Sequence, residues 1–186
     1  LGAKPFVPGI KGADAPHVLH TSDLFGKEDQ VGDKVVVIGG GSVGCEVTAY
    51  LKMLGKTVDI IEKEKRLIPN PGVMLIERGW TLFFMNRDYN DDIRSYGDTT
   101  ISDKVKIHTS TQCLEITKDG VRIEEDGRER FLEADTVVMA TGLKLDQSML
   151  ADFADTALEV VAVGDCLKVG DLQSASSSSY GASLQI

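Results

Sequence analysis

The sequence is short of positive charge. Its 20 Lys and Arg residues stand against 29 Asp and Glu, a formal net charge of −9. Nucleic acid and anionic membranes recruit basic patches, so neither is expected as a partner. No run of about 18 apolar residues occurs, so no transmembrane helix is expected. The opening "LGAKPFVPGI" has no charged start followed by an apolar core, which argues against a secretory signal. It begins without Met and reads as a piece of a longer protein, with a cytoplasmic location expected. Cysteine is scarce: Cys45, Cys113 and Cys166 show no CxxC or metal-ligand spacing. They are expected as reduced packing residues, with no metal site. His17, His20 and His108 also lack ligand spacing and are expected to be structural or exposed. No Ser–His–Asp set emerges, and Glu124/Glu125 and Asp91/Asp92 read as solvated acids. No catalytic residue is assigned.

The informative stretch is "KVVVIGGGSVGCEVTAYLKMLGKTVDIIEK", Lys34 to Lys63. Lys34 to Ile38 reads as a buried parallel strand, apolar on both faces and β-branched. From Ser42 to Leu54, Val43, Val47, Leu51 and Leu54 recur at helical spacing, and Gly55 stands where a helix C′ glycine belongs. Thr57 to Ile61 reads as a second strand. Between strand and helix, Gly39-x-Gly41-x-x-Gly44 has the spacing and the context of a dinucleotide fingerprint. Gly39 would allow the tight turn, Gly41 the approach of a pyrophosphate, and Gly44 close packing of helix on strand. With Gly40 completing the loop, the amides of Ser42 and Val43 would face the phosphates from a positive helix N-terminus. Glu62 stands where an acid receives the adenosine ribose hydroxyls and repels a 2′-phosphate. NAD(H) is therefore expected over NADP(H), although Lys63, Lys65 and Arg66 beside it are basic.

Residues 1–32 are rich in Pro and Gly and read as an irregular lead-in with one short helix near Ser22 to Phe25. Val73 to about Tyr89 has mixed helical periodicity, and its Trp80, Phe83, Phe84 and Tyr89 read as core or as a docking surface. Val105–Ile107 reads as a third strand. Gln112–Thr117, Val121–Glu125 and Arg130–Glu133, joined by "KDG" and "EDGRE", read as an antiparallel meander. Thr136–Ala140 and Val160–Val163 read as further buried strands, and Ala175–Ile186 as a final helix. The order predicts an α/β fold. A Rossmann-like parallel sheet carries helices on one face and the three-stranded meander on the other.

These residues resemble the NAD(P)H-binding part of pyridine-nucleotide-dependent FAD oxidoreductases. "KPFVPGIKGADAPHVLHTSDLF" is similar to that family's linker, "VVVIGGGSVGCEVTAYLKMLGKTVDIIE" to its NAD(P)H-binding insert, and "ADTVVMATGLK" to the strand closing the insert. "VVAVGDC" is similar to a later strand whose Gly-Asp contacts FAD. "VGCE" and "EVVAVGDC" look nearest to the C-terminal module of 2-enoate and 2,4-dienoyl-CoA reductases. The resemblance implies three segments: a lead-in, 1–32, from a missing FAD domain; an NAD(H)-binding domain, 33–145; and a remnant of the FAD domain, 146–186. It implies that Glu46 faces the nicotinamide and flavin, although an acid there would also complement the helix dipole. It implies that Thr141 and Gly142 pass close to the dinucleotide, and that Gly164 and Asp165 touch FAD in the parent.

The implied function is docking of NADH for hydride delivery to FAD, ahead of reduction of an enoate or enoyl-CoA substrate. The implied partners are the FAD-binding domain and an old-yellow-enzyme-like barrel, and a homo-oligomer is compatible. The family's FAD fingerprint, iron–sulfur cysteines and Cys-x4-Cys pair do not occur in these residues, so the piece alone is expected to be inactive. Three other readings stay open. One is a non-catalytic NAD(H)-binding or sensing module. Another is the matching domain of an NADH oxidase or disulfide-reductase-like flavoprotein. The third is a scaffold or oligomerisation element that binds nothing.

Overall fold

The structure, a computed structural model, describes residues 2–69, 79, 81–83, 85, 102–148, 150–153, 156–157 and 159–185. The helix expected over 73–89 falls largely outside them, as do Trp80, Phe84 and Tyr89. The chain forms two compact units: Val7–Thr141, and Leu1–Phe6 together with Gly142–Ile186.

In the unit Val7–Thr141, five parallel strands form one sheet. They are β2 (Val18–His20), β9 (Thr136–Met139), β3 (Lys34–Ile38), β4 (Thr57–Ile61) and β5 (Val105–His108), in that order across the sheet. Side chains alternate between its faces. Val35 and Val37 of β3, with Val58 and Ile60 of β4, pack on Val47 and Leu51 of α2 (Ser42–Met53). Val36 and Ile38, with Ile61, Val137 and Met139, pack on the meander β6 (Thr111–Thr117), β7 (Gly120–Glu125) and β8 (Arg128–Glu133) through Cys113, Ile116, Ile123 and Leu132. Burial on both faces is why β3 and β9 read as unbroken apolar runs. The expected fold, helix on one face and meander on the other, is present.

Local chemistry sets the ends of these elements. After the C-cap Leu54, Gly55 takes φ +85°. Its amide donates to Lys52 O at 2.8 Å, and that of Lys56 to Leu51 O at 3.1 Å. This is the Schellman arrangement, which satisfies the last carbonyls of α2. The β7–β8 hairpin turns on Asp126 and Gly127, with φ of 51° and 72°. Two positive φ values in a two-residue loop match the right-handed strand twist.

Three expectations need correction. The lead-in has its expected short helix, α1 (Thr21–Leu24), but is not otherwise irregular: it also contains the strands β1 (Gly2–Pro5) and β2. Strand β1 pairs antiparallel with an unexpected strand, β10 (Leu143–Asp146), in the second unit. Val160–Val163 is not a strand, and Val160 and Val161 are each 44% exposed. An apolar β-branched run needs a neighbouring edge to pair with, and no described strand supplies one. The final helix, α3 (Leu172–Ser183), starts earlier than expected. Asp171 accepts from Ser174 N at 2.7 Å while the Ser174 hydroxyl accepts from Asp171 N at 2.8 Å. This capping box starts the helix despite its serines.

Candidate dinucleotide site

The three fingerprint glycines do different work. Gly39 has φ +109°, and a Cβ there would lie 2.4 Å from Ala140 O. A Cβ on Gly44 would lie 1.9 Å from Gly39 O, so helix and strand touch backbone to backbone. Gly41 is the N-cap of α2, with ordinary dihedrals of −70° and −177°. A Cβ on it would meet no described atom within 4 Å. Fold geometry thus demands glycine at 39 and 44, whereas no described neighbour demands it at 41.

Among the described residues no side chain caps α2, and its first turn carries no acid. The amides of Ser42, Val43 and Gly44 precede the first intrahelical bond, Cys45 N to Gly41 O at 3.0 Å. Such an end attracts an anion through exposed N–H groups and the helix dipole. Glu46 sits beyond the first turn, so the dipole does not explain it. It is exposed, and with Val43, Val47, Tyr50, Thr21, Ser22 and Phe25 it lines a cleft of about 310 Å3. The Phe25 and Tyr50 rings close one side, with centroids 5.2 Å apart.

Glu62 is 7% exposed at the end of β4. Its Oε2 accepts from Gly40 N at 2.7 Å and its Oε1 from Glu64 N at 2.8 Å. An ionised carboxylate offers about four lone-pair sites, of which these described donors use two. The carboxylate therefore braces the glycine loop as well as facing it. Gly40 is enclosed: a Cβ there would lie 2.4 Å from Leu67 Cδ2 and 2.9 Å from Glu62 Cβ. Its carbonyl accepts from Ile68 N at 2.7 Å, and Ile68 is a buried β-branched residue at φ 49°. Backbone strain at that position is held by the surrounding packing. Neither Leu67 nor Ile68 carried a signal in the sequence.

The remaining predicted residues divide. The Ala140–Thr141 peptide lies against Gly39, as its Cβ distances of 2.4 Å to Ala140 O and 3.4 Å to Thr141 N require. Lys63 is exposed. In the other unit, Gly142 takes φ +89° and its carbonyl accepts from Phe6 N at 2.9 Å. Gly164, at φ +55°, donates its N–H to Ser178 Oγ at 2.9 Å. Asp165 Oδ1 accepts from Gly170 N at 3.0 Å. These two residues are already engaged internally and offer only part of a ligand site.

His108 is buried, and it is neither isolated nor exposed. Its Nε2 lies 2.7 Å from Asp59 Oδ1 and its Nδ1 2.9 Å from Glu125 Oε1. The bonds to Asp59 and, after burial's opposing effect, to Glu125 raise its pKa above the ordinary histidine value. His108 in turn holds the Glu125 carboxyl below the usual range, with Arg130 adding to the effect. Among the described residues, no group of three or more His, Cys, Asp or Glu has metal-site geometry. No helix among them is long and apolar enough to cross a membrane.

Comparison with known proteins gives these features a family. The pyridine nucleotide-disulphide oxidoreductase family matches residues 1–165. Cinnamate reductase of Clostridium sporogenes is 28% identical, over 96% of this chain and 24% of that protein. NADH oxidase of Thermoanaerobacter brockii is 29% identical, over 100% of this chain and 27% of that protein. A solved complex of 2-naphthoyl-CoA reductase with 2-naphthoyl-CoA matches with a TM-score of 0.79 at 29% identity, over 100% of this chain and 26% of that one. The chain thus spans about a quarter of the length of these relatives. From the glycine loop, the two-faced parallel sheet and this match, the chain belongs to the pyridine nucleotide-disulphide oxidoreductase family, whose cofactors are FAD and NAD(P)H.

Proposed function

We propose that this chain is the NAD(H)-binding module of a larger flavin-dependent reductase acting on an unsaturated acid or its thioester. The observation that carries this is the loop at the start of α2. Gly41, with no described atom within 4 Å of its Cβ position, and a helix end that no described side chain caps lie on the same chain segment that Glu62 braces through Gly40. In this reading the amides of Ser42 and Val43 hold the pyrophosphate. The Glu62 carboxylate accepts the ribose hydroxyls, and its charge disfavours a 2′-phosphate. Val43 and Glu46 border the cleft into which the nicotinamide end extends, and its volume of about 310 Å3 suits a small ring system. Bound together, NADH and FAD supply hydride chemistry; the protein's part is positioning and electrostatics.

The substrate class rests on chemistry shared by two relatives, whose names specify cinnamate and 2-naphthoyl-CoA. Both are conjugated carboxyl compounds. In the second unit, Val160, Val161, Leu172, Tyr180 and Leu184 are exposed apolar residues that other parts of a longer protein would cover.

The test is calorimetric titration of the chain with NADH and NADPH. Saturable binding that favours NADH is expected. Absence of binding contradicts the proposal, and preference for NADPH contradicts the role of Glu62. Two FAD contacts, Gly164 and Asp165, fall short of the several kcal/mol, on the order of 4 or more, that immobilising such a ligand costs. After incubation with FAD and desalting, the chain is therefore expected to be colourless. A retained flavin band bleached by NADH would show a working flavoenzyme in this piece alone.

A further inference from the structure

We propose that His108 is a positioning residue for Glu62, holding the cofactor-binding end of β4 through a charged clasp between the parallel sheet and the meander. The proposal rests on the assignment of Glu62 to the dinucleotide made above.

His108 ends β5 and points towards the meander, where it is 8% exposed. Each ring nitrogen faces a carboxylate oxygen, one from β4 and one from β7. A neutral imidazole has one N–H, so one carboxylate would face a lone pair. Only the imidazolium satisfies both. The charges around it are those of Asp59, Glu125 and Arg130, the last paired with Glu125. Lys106 on β5 stands opposite Asp59 in register, and Arg128 on β8 opposite Glu125. The two carboxylates in direct contact favour the proton, in line with the raised pKa.

The clasp joins the cofactor acid through the backbone. Glu62 N donates to His108 O at 2.8 Å, and Thr111 N donates to Glu62 O at 2.9 Å. Residues 108 and 111 thus bracket the main chain of Glu62. The Glu62 side chain in turn fixes the amides of Gly40 and Glu64. The path Glu125–His108–Glu62–Gly40 is contiguous, with a hydrogen bond at each step. Deprotonation of His108 releases one side of the clasp and loosens the strand end on which Glu62 is placed. Dinucleotide affinity should therefore fall as the imidazolium loses its proton.

The experiment measures the Kd of the chain for NADH from about pH 6 to about pH 9, alongside the imidazole resonances of His108 by NMR. Expected is a rise in Kd of about fivefold on the alkaline side, the low end of ordinary site-to-site coupling. Its midpoint should coincide with that of the His108 resonances. His108→Gln should bind NADH more weakly at the acid end and show a flat profile. Should that variant not fold, Glu125→Gln, which removes one charged acceptor, should lower both midpoints together. A flat wild-type profile while His108 titrates overturns the proposal, as does an unchanged profile in His108→Gln or an unmoved Kd midpoint in Glu125→Gln. Absence of NADH binding at every pH overturns the functional reading as well, whereas pH-independent binding overturns the clasp alone.

Discussion

The glycine loop makes a prediction in which two substitutions of one residue type, three positions apart, have opposite consequences. At Gly41, Val meets no described atom within 4 Å and adopts the existing φ of −70° without strain. An N-cap glycine is better than an aliphatic residue there, but the substitution also reduces the entropy of the unfolded chain. The net change in stability should stay within about 1 kcal/mol. The added methyls occupy the volume a pyrophosphate needs, so NADH affinity should fall at least about a hundredfold, or roughly 2.7 kcal/mol. At Gly44, even Ala places a Cβ 1.9 Å from Gly39 O and 3.2 Å from Ala140 Cβ. Opening the first contact to about 3.5 Å moves α2 off β3 by roughly 1.6 Å. Overpacking of that kind costs about 3 kcal/mol or more, because the obstruction is backbone and cannot swing aside. Urea unfolding with calorimetry separates the outcomes. Normal NADH affinity in folded Gly41→Val, or normal stability in Gly44→Ala, would refute the division of labour between the glycines.

Glu62→Gln keeps the shape but loses one carboxylate oxygen, so NADH affinity should fall about tenfold and discrimination against NADPH should shrink. Glu62→Arg should gain NADPH relative to NADH, but it should also unfold more easily, because a large cation replaces the buried acceptor of the Gly40 and Glu64 amides. Melting temperature and paired titrations check both. The clasp contributes stability in a pH window. The raised pKa of His108 makes its share full below about pH 6.5, and that share is lost as pH rises through the folded value. The lowered pKa of Glu125 makes its share present above the usual carboxylate range, and that share is lost as pH falls through the folded value. The stability difference between wild type and His108→Gln should peak between those limits; a pH-independent difference in melting temperature would argue against a charged clasp. Cys113 is buried and its thiol is pushed up to about 11. Mass spectrometry after mild alkylation should find Cys166, the partly exposed cysteine, modified first.

The legible parts of the chain were those written in local chemistry. The segment from β3 through α2 to β4 announced itself because the apolar period changes at the glycines and because Gly39 and Gly44 have backbone-imposed reasons to be there. The meander was legible from its turns, where Asp126 and Gly127 accept positive φ. Strands β1, β2 and β10 were not, because three or four residues pair with partners more than a hundred positions away. Their pattern alone is too short to distinguish strand from loop. Val160–Val163 failed in the opposite direction, having the composition of a strand without an edge to join. At the site, the spacing of Glu62 suggested a ribose acid. Its hydrogen bond to Gly40 depends on a loop 22 residues away folding back, which no spacing rule encodes. His108 was opaque for the same reason, since its partners come from β4 and β7.

The most direct test of the central claim is the response of the backbone amides to NADH, read residue by residue in an amide NMR spectrum of the chain. The loop account predicts that saturating NADH shifts the amides of Gly41, Ser42, Val43 and Glu62 most strongly. It also predicts that NADPH at the same concentration moves them less. Shifts centred elsewhere, or none at these four residues with NADH bound, would contradict it.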